Sequence, residues 1–423
     1  MSFVLKSYKY VADERTAYFC YENSGIEFTE TIEFSKVSEG YNKEALDRAL
    51  FMAFVLIGTS YFKTFPLNQV DLSDFDIDEE QAGFFNSVYQ EGLSQFAYEN
   101  KLERSDLGHF KGLAEDQKNP VSLTPLDETP LVLQSGGKDS LLLAQLLKNK
   151  NLNFTPWYMS NNNSHPELLD TLGYPLVSVI RKIDKNNLKV ASQKGGLDGH
   201  VPITYIVLSI ALIQAILVGK DTVLAAIGHE GEEPYSYIDD LPVAHQWSKT
   251  WLAEQAFANY VNDYVSKDIK VGSPLRKFSE LKIAEMFVGT AWSRYSRDFT
   301  SCNVANYGQG KDNSVLGWCG NCPKCANSFL LFAPFVEPKE LSSVFNGENL
   351  FKKDSLTETF KGLLGIDGVE KPFECIGEEA ELRKAYNLAH AKSIEYTLPF
   401  DVPDSDYDYN GEFDSQPWSA DYI

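Results

Sequence analysis

The sequence predicts an α/β protein built around a doubly wound parallel sheet, and three observations support that prediction. From residue 131 onward, short apolar segments of strand length alternate with longer segments of helical periodicity. A glycine turn joins the first of these strands directly to a helix, as in sheets that bind ligands at their carboxyl edge. The chain has 423 residues, of which 43% are apolar, so it can bury a sizeable core and is not disordered throughout.

The order of these elements is typical of a sheet with helices on both faces. The predicted strands are residues 131–134, 154–159, 176–183 and 222–227, and the predicted helices are residues 141–148, 202–218 and 247–265. The segment 201–219 carries no charge, but its polar residues and the lack of a flanking positive cluster favour a buried core helix over a membrane span.

Residues 1–125 have a different pattern, with no clear nucleotide-binding motif. Short strands are predicted at 16–22 and 26–34, and apolar residues at helical spacing predict helices within 45–57 and 84–98. The segment 119–130 contains three prolines and is predicted to be a connector.

The excess of acidic residues argues against some classes of binding partner. Lysine and arginine number 38 and aspartate and glutamate 60, which gives a net charge of −22 and argues against nucleic acid or an anionic membrane as partner. The first residues contain one lysine and no sustained apolar run, so no signal peptide is predicted and we expect a cytoplasmic protein.

The most informative segment is residues 131–140, Leu-Val-Leu-Gln-Ser-Gly-Gly-Lys-Asp-Ser. Its glycines allow a sharp turn and a close approach to phosphate, and the amides that open the next helix would point at the anion. Asp139 would repel bare phosphate, so it implies Mg²⁺ or an orienting hydrogen bond. A Walker A loop is excluded because Lys138 is followed by aspartate. The candidate phosphate-binding residues are Ser135, Gly136, Gly137, Lys138, Asp139 and Ser140.

This segment resembles the PP-loop of the ATP pyrophosphatases, a superfamily that includes GMP synthetase, asparagine synthetase and the deazaguanine nitrile synthase. The resemblance implies a sheet of the PP-loop (HUP-like) type and cleavage of ATP between its α and β phosphates, which leaves AMP on a substrate oxygen. Arg181, near the end of a predicted strand, is a candidate to pair with the pyrophosphate or with a substrate carboxylate.

Four of the six cysteines are grouped at a spacing typical of a metal site. Two consecutive two-residue gaps bring three thiolates together, and a fourth cysteine upstream can close a tetrahedral zinc site; the four are Cys302, Cys319, Cys322 and Cys325. A closed site of four thiolates has no open position for catalysis, so we interpret it as structural. An iron–sulfur cluster and a redox dithiol are the alternatives.

Three parts of the chain are therefore predicted. These are an N-terminal α+β substrate-binding domain (1–125), a PP-loop ATP-binding domain with the cysteine cluster (126–345) and a C-terminal region (346–423). The last part ends in a tail, residues 393–423, with eight acidic residues and no basic one. Such tails are usually solvated. The interleaved aromatic residues would also allow this tail to pack on its own protein or on a partner.

Several short motifs occur in an order that narrows the resemblance further. They lie at residues 28–34, 58–63, 92–100, 199–204, 245–249, 301–303, 318–319 and 371–378. On these motifs, residues 26–380 resemble the MurL family. The resemblance implies an epimerase that uses ATP and Mg²⁺ to invert the terminal L-glutamate of UDP-N-acetylmuramoyl-L-Ala-L-Glu, a UDP-linked peptide, for peptidoglycan synthesis.

The candidate catalytic residues lie where loops could face a ligand. His200 precedes the apolar helix, Glu230 follows a predicted strand, and His245 and Lys249 are four apart, on one face if that segment is helical. Any of them could act as base, acid or carboxylate anchor. Cys375 is a possible nucleophile or proton carrier, but a buried thiol in a structural turn fits its context better.

Two other functions are compatible with these motifs. One is another carboxylate-activating PP-loop enzyme, similar to the deazaguanine nitrile synthase or acting as epimerase or ligase on a different peptide. The other is a nucleotide-sensing or defence-associated binding module that kept the loop but lost turnover. The motifs do not indicate an oligomeric state.

Overall fold

The computed structural model describes residues 2–306 and 314–423. Its strands are β1 (Phe3–Val11), β2 (Thr16–Asn23), β3 (Ile26–Phe34), β4 (Val70–Asp71), β5 (Leu131–Leu133), β6 (Thr155–Ser160), β7 (Val177–Lys182), β8 (Thr222–Leu224), β9 (Ser236–Ile238), β10 (Leu241–Val243) and β11 (Lys270–Gly272). The first seven helices are α1 (Lys43–Phe62), α2 (Glu79–Gln90), α3 (Ser94–Glu99), α4 (Lys138–Asn149), α5 (Lys185–Gln193), α6 (Ile203–Leu217) and α7 (Trp251–Tyr260). The remaining helices are α8 (Glu280–Thr290), α9 (Trp292–Tyr295), α10 (Asn303–Asn306), α11 (Pro323–Phe332), α12 (Pro338–Val344), α13 (Thr357–Leu363) and α14 (Glu379–Lys392).

Nine of these strands form one sheet in the order β11-β8-β5-β6-β7-β3-β2-β1-β4. The first five strands in this order run parallel to one another. From β7 onward, each of β3, β2 and β1 is antiparallel to the strand before it. The predicted α/β class is confirmed and the sheet is rich in parallel strands, but it is not parallel throughout, because β3, β2 and β1 extend one edge with antiparallel pairs.

The parallel strands are covered by helices on both faces. Leu131 and Trp157 pack into a core with α1, α6 and α7, whereas their neighbours Val132 and Tyr158 pack into a second core with α4, α8 and α11. Alternate residues of a strand point to opposite faces, so both faces of these strands are buried. Burial of both faces explains why the predicted strands are apolar at nearly every position.

The antiparallel end of the sheet is covered differently. Inward residues of β3 such as Phe28 and Ile32 are buried against α1, while Glu27 on the other face is exposed. One buried and one solvated face give the alternation by which β2 and β3 were predicted. Because β3 pairs with β7, the strands of residues 1–125 continue the sheet of the following segment without a break.

Two apolar helices lie side by side in the first core. Of the described residues, the helix Lys43–Phe62 alone is long and apolar enough to cross a membrane, and 83% of its most apolar window is buried inside the protein. It packs against β1, β2 and Ile203–Leu217, which is the core helix predicted for the uncharged segment. Both therefore act as core helices of the sheet.

The acidic tail packs on its own chain. The ring of Phe413 stacks on His229 with the ring centroids 3.6 Å apart, and its amide donates a hydrogen bond to the carbonyl of Lys277. Nearby, the Ser279 hydroxyl donates to the carbonyl of Tyr409. Three other aromatic residues of the tail, Tyr409, Trp418 and Tyr422, pack against the second core. The prediction that the aromatic residues allow packing on the same protein is thus met.

Candidate active site

The glycine loop joins β5 to α4 at the carboxyl edge of the parallel strands. Gly136 adopts a φ of +79°, a conformation that glycine reaches without strain, and α4 begins at Lys138. No side chain of the described residues caps this helix, since its N-cap residue is Gly137. The first amides of α4 are therefore available to an anion.

The loop opens into a cavity of about 410 Å³ at the carboxyl ends of β5, β6 and β8. The apolar part of its lining consists of Trp157, Met159, Ile203, Val207, Ala225 and Ile227. The polar and charged part includes Ser135, Lys138, Asp139, Glu230, Lys249, Glu280, Lys324 and Asn327. An apolar lining with a few polar groups is typical of a small-molecule site.

Gln134 is the clearest sign that this cavity is built for a ligand. The residue is 6% exposed and lines the cavity, yet neither polar atom of its amide has a hydrogen-bond partner among the described residues. Buried amides are normally satisfied, because an unpaired one costs about 1–3 kcal/mol. The amide therefore fits a ligand that carries its own donor and acceptor, such as a nucleobase.

Lys138 points back across the start of its helix to two carboxylates. Its Nζ lies 2.6 Å from Asp139 Oδ1 and 2.6 Å from Glu280 Oε2. Burial raises the pKa of Glu280 to about 8 despite the opposing effect of Lys138. The other oxygen of Glu280 is buried without a partner in the described structure. This group of charges is thus incompletely satisfied.

A second ion pair lines the same cavity. Lys249 Nζ lies 3.0 Å from Glu230 Oε2, and the Glu230 side chain is 8% exposed. Burial raises the pKa of Glu230, but Lys249 outweighs this effect and the net pKa lies below its ordinary value. Lys249 ends a single 3-10 turn, Trp247–Lys249, and His245 lies before it, so the helix on which the two residues would share a face is not formed.

The two predicted histidines lie together behind the cavity wall. The ring centroids of His200 and His245 are 4.5 Å apart, and burial lowers their pKa values to about 3 and about 4 respectively. Neither imidazole is among the described residues that line the cavity. Between them and the cavity lies Cys375, whose Sγ is 3.6 Å from His245 Nε2.

The sequence favours a buried, structural thiol for Cys375, whereas in the structure this residue lines the cavity. A lone cysteine accompanied by histidines elsewhere in the chain is the signal that could have indicated a catalytic thiol. Sequence spacing did not reveal the pair, because 130 residues separate its two members.

Arg181 has a different role from the one expected. Its side chain is 7% exposed and its Nε donates to Glu30 Oε1 at 2.6 Å, while Nη2 donates to Ser60 at 3.2 Å. The guanidinium is thus held in the first core, between β7, β3 and α1, and it is not among the residues that line the cavity. We therefore leave it out of the candidate site.

The four cysteines converge as a metal site requires. Their Sγ atoms all lie within 4.8 Å of one another, and the closest pairs are 3.5 and 3.7 Å apart. A disulfide would need about 2.0 Å. A tetrahedron of thiolates at the usual Zn–S distance of about 2.3 Å has edges of about 3.8 Å, so the donor set fits zinc.

The neighbours of these cysteines form part of the cavity wall. Ser301 and Asn303 flank Cys302, and Lys324 precedes Cys325 at the start of α11; all three neighbours line the cavity. A metal bound by the cysteines would therefore fix two separate segments of the wall.

Comparison with known proteins agrees with this architecture. The model of the MurL N-terminal domain matches residues 1–273, and that of the MurL C-terminal domain matches residues 298–397. The chain belongs to the MurL family. The family match thus covers the glycine loop, the cysteine cluster and the cavity lining except Glu280, whereas residues 274–297 and 398–423 lie outside the matched segments.

Three relatives carry the name UDP-N-acetyl-alpha-D-muramoyl-L-alanyl-L-glutamate epimerase. The protein of Xanthomonas oryzae pv. oryzae is 33% identical over 350 residues, which are 82% of this chain and 75% of the relative. That of Salinispora tropica is 29% identical over 399 residues, 93% of this chain and 85% of the relative. That of a Micromonospora species is 30% identical over 350 residues, 81% and 75% of the two chains. By name, these MurL relatives are isomerases.

Proposed function

We propose that this protein is an ATP- and Mg²⁺-dependent epimerase of UDP-N-acetylmuramoyl-L-Ala-L-Glu. In this proposal it adenylates the terminal L-glutamate carboxylate, inverts the α-carbon to D-glutamate and releases AMP and pyrophosphate, which supplies peptidoglycan synthesis. The activity named for three relatives supports the substrate. The observation that carries the use of ATP is the uncapped start of α4, where the PP-loop-like turn opens into the cavity.

Activation of the carboxylate answers a chemical problem of epimerisation. The α-proton beside a free carboxylate is hardly acidic, because its removal would create a dianion. Attack of the carboxylate on the α-phosphorus of ATP releases pyrophosphate and forms a mixed anhydride with AMP. The anhydride removes the charge of the carboxylate and makes its carbonyl an electron sink. A side-chain base can then take the proton, and hydrolysis of the activated product makes the inversion effectively one-way.

The cavity offers matching sites for the parts of such a substrate. The apolar wall around Trp157 and the unpartnered amide of Gln134 suit a nucleobase, and the amides of α4 with Lys138 suit its phosphates. Asp139 and Glu280 are the carboxylates that would hold Mg²⁺, which uses few protein oxygens together with phosphate. When bound, Mg²⁺ would neutralise phosphate charge.

The charged residues farther along the cavity suit the glutamyl end. Lys249, held by Glu230, is a cation that would attract a carboxylate or an enolate oxygen. We propose Zn²⁺ at Cys302, Cys319, Cys322 and Cys325 as a structural ion. Four free thiols also suit a reducing compartment, so a cytoplasmic location is part of the proposal.

The test follows ATP and the α-carbon separately. The purified protein with Mg²⁺, ATP and the UDP-dipeptide in deuterium oxide should yield AMP, pyrophosphate and a D-glutamyl product that carries deuterium. Omission of ATP should abolish exchange at the α-carbon, and free L-glutamate should react poorly because it lacks the remote binding groups. ADP and phosphate as products, or exchange without ATP, would contradict the proposal.

A further inference from the structure

Cys375 stands at the cavity end of a chain of three hydrogen-bonded side chains. His245 Nε2 lies 3.6 Å from Cys375 Sγ, and His245 Nδ1 lies 2.7 Å from Gln95 Oε1. The Gln95 amide is oriented by its other end, because Nε2 donates to Glu99 Oε1 at 3.0 Å. Its Oε1 can only accept, so Nδ1 of His245 carries the hydrogen and Nε2 is free to accept one from the thiol.

Burial sets the resting state of the imidazole in this chain of side chains. Gln95 is 5% exposed, and burial keeps His245 neutral at neutral pH because it lowers the imidazole pKa to about 4. Cys375 is the member that lines the cavity, which it shares with the glycine loop and Lys249. Starting from the cavity, the three side chains therefore follow in the order Cys375, His245, Gln95.

Lys249 supplies the electrostatic part of this arrangement. Burial lowers the pKa of its ammonium, but negative charge on Cys375 and on Glu230 outweighs burial, and the net pKa is raised. Cys375 and Lys249 line the same cavity, so the sulfur and the ammonium face a common space. A thiol with a neutral imidazole on one side and an ammonium nearby is an activated thiol.

We propose that Cys375 is the base that removes the α-proton of the terminal glutamate, with His245 and Gln95 as positioning residues. This assignment rests on the proposed epimerase function and deepens it. Transfer of the thiol proton to His245 Nε2 gives a thiolate paired with an imidazolium; this pair is a short-lived minor state, because burial disfavours the charged imidazole. The thiolate then takes the α-proton: the C–H bond breaks, an S–H bond forms, and the electron pair moves onto the oxygen of the activated carbonyl.

Inversion requires that a proton return to the opposite face of the same carbon. Lys249 is one of three lysines that line the cavity, with Lys138 and Lys324, and it is the donor assigned to this step. The N–H protons of an ammonium exchange with solvent. Protonation by Lys249 gives the D-epimer, and re-equilibration of the thiol, the imidazolium and the amine with water restores the starting state. Deuterium from solvent therefore ends on the α-carbon.

The first experiment compares Cys375→Ala and Cys375→Ser with the wild type. Both variants should still catalyse ATP–pyrophosphate exchange in the presence of the UDP-dipeptide, because adenylation does not use the thiol. Both should lose deuterium incorporation at the α-carbon by about 10²–10⁴-fold, the usual contribution of a positioned base. Cys20→Ala is the matched control, since Cys20 lies on β2, outside the cavity and the cysteine cluster.

The outcomes separate this inference from the proposed function. If the wild type shows neither ATP–pyrophosphate exchange nor deuterium incorporation, the proposed function fails. If the wild type shows both and the Cys375 variants keep both, the assignment of Cys375 alone is wrong. Intact-mass analysis of the quenched wild-type reaction should show no peptide on Cys375, and a thioester adduct would overturn its role as base in favour of a nucleophile.

A second experiment addresses the positioning residues. His245→Asn should lower kcat for deuterium incorporation about 10²-fold or more and leave KM for the UDP-dipeptide unchanged, because the imidazole does not line the cavity. Gln95→Leu should have a smaller effect of the same kind. A rise in KM with unchanged kcat would instead indicate a purely structural contact.

Discussion

The protein buries two groups of opposite charges, one on strands at the antiparallel end of its sheet and one on helices beside the parallel end, and they differ in how many of their polar atoms have hydrogen-bond partners. At the antiparallel end, Glu30 accepts from Arg181 Nε at 2.6 Å and from the Tyr61 hydroxyl at 2.8 Å. At the parallel end, Lys138 binds Glu280, but the second oxygen of Glu280 has no partner in the described structure. The first group is closed by protein atoms, whereas the second is open to a cavity.

Whether protein atoms satisfy all the polar atoms of a buried ion pair distinguishes a structural pair from a functional one. A buried charge without its partners is costly, so a group that protein atoms satisfy needs nothing else. Unpaired atoms that line a cavity, such as the Gln134 amide, acquire partners only when a ligand arrives. Burial and charge alone do not distinguish the two ends, because both are buried and charged.

Removal of a carboxylate from the open group should have the largest effect on activity. Asp139→Ala should reduce pyrophosphate release by about 10³-fold or more, as loss of preorganised electrostatics at a reaction site does, and leave the melting temperature nearly unchanged. The exposed Asp74→Ala is the control of equal charge change. A variant that unfolds would show that this group also serves stability.

The closed group should respond in the opposite way. Arg181→Met leaves Glu30 unpaired in the core and should cost about 3–5 kcal/mol in the free energy of unfolding, measured with urea. The double variant Glu30→Leu with Arg181→Met should recover part of this loss. The folded fraction of Arg181→Met should keep its affinity for ATP, and a specific loss of ATP binding would restore the nucleotide role that the sequence suggested.

The cysteine cluster is a third group of buried polar side chains, and we expect its stability to depend on a bound metal. Wild-type protein should contain about one zinc per chain, and Cys322→Ser should lose the zinc and lower the melting temperature by about 5 °C or more. Because neighbours of the cysteines line the cavity, KM for the substrates should rise as well. If the purified protein contains iron and sulfide and no zinc, the four cysteines bind an iron–sulfur cluster and the zinc assignment is wrong.

The smallest expected effect concerns the tail. Phe413→Ala removes a ring stacked on His229, which should cost about 1–2 kcal/mol in the free energy of unfolding and change kcat less than twofold. Phe413→Leu keeps part of the apolar contact, so its free energy of unfolding should lie between those of the wild type and Phe413→Ala. A large loss of activity with unchanged stability would show that the tail contributes to the site.

Local patterns made much of the parallel end predictable. The strand and helix around the loop were predicted to within a few residues, at 131–134 and 141–148, because glycines and apolar periodicity mark their ends. β1 was missed, since its polar outward residues, among them Lys6, hide the alternation. The cysteine cluster was predictable as a group because three of its members lie within seven residues.

Features that depend on distant pairing were not predictable from one sequence. Arg181 faces Glu30 only because β7 pairs with β3, and nothing near either residue signals that partner. Cys375, His245 and Gln95 come from three segments that lie 130 and 150 residues apart. Sequence reasoning identified the histidine but favoured a structural role for the thiol, because a solitary cysteine carries no spacing information.

The pairing of β3 with β7 also has a consequence for synthesis of the chain. Glu30 and Arg181, one on each strand, are 151 residues apart. At about 5–20 residues per second, a ribosome needs about 8–30 s to make that stretch. Until then, the nascent hairpins present the edge of β3 without its native neighbour. Glu27 and Glu33 put negative charge along this edge, and such charge discourages pairing between nascent chains.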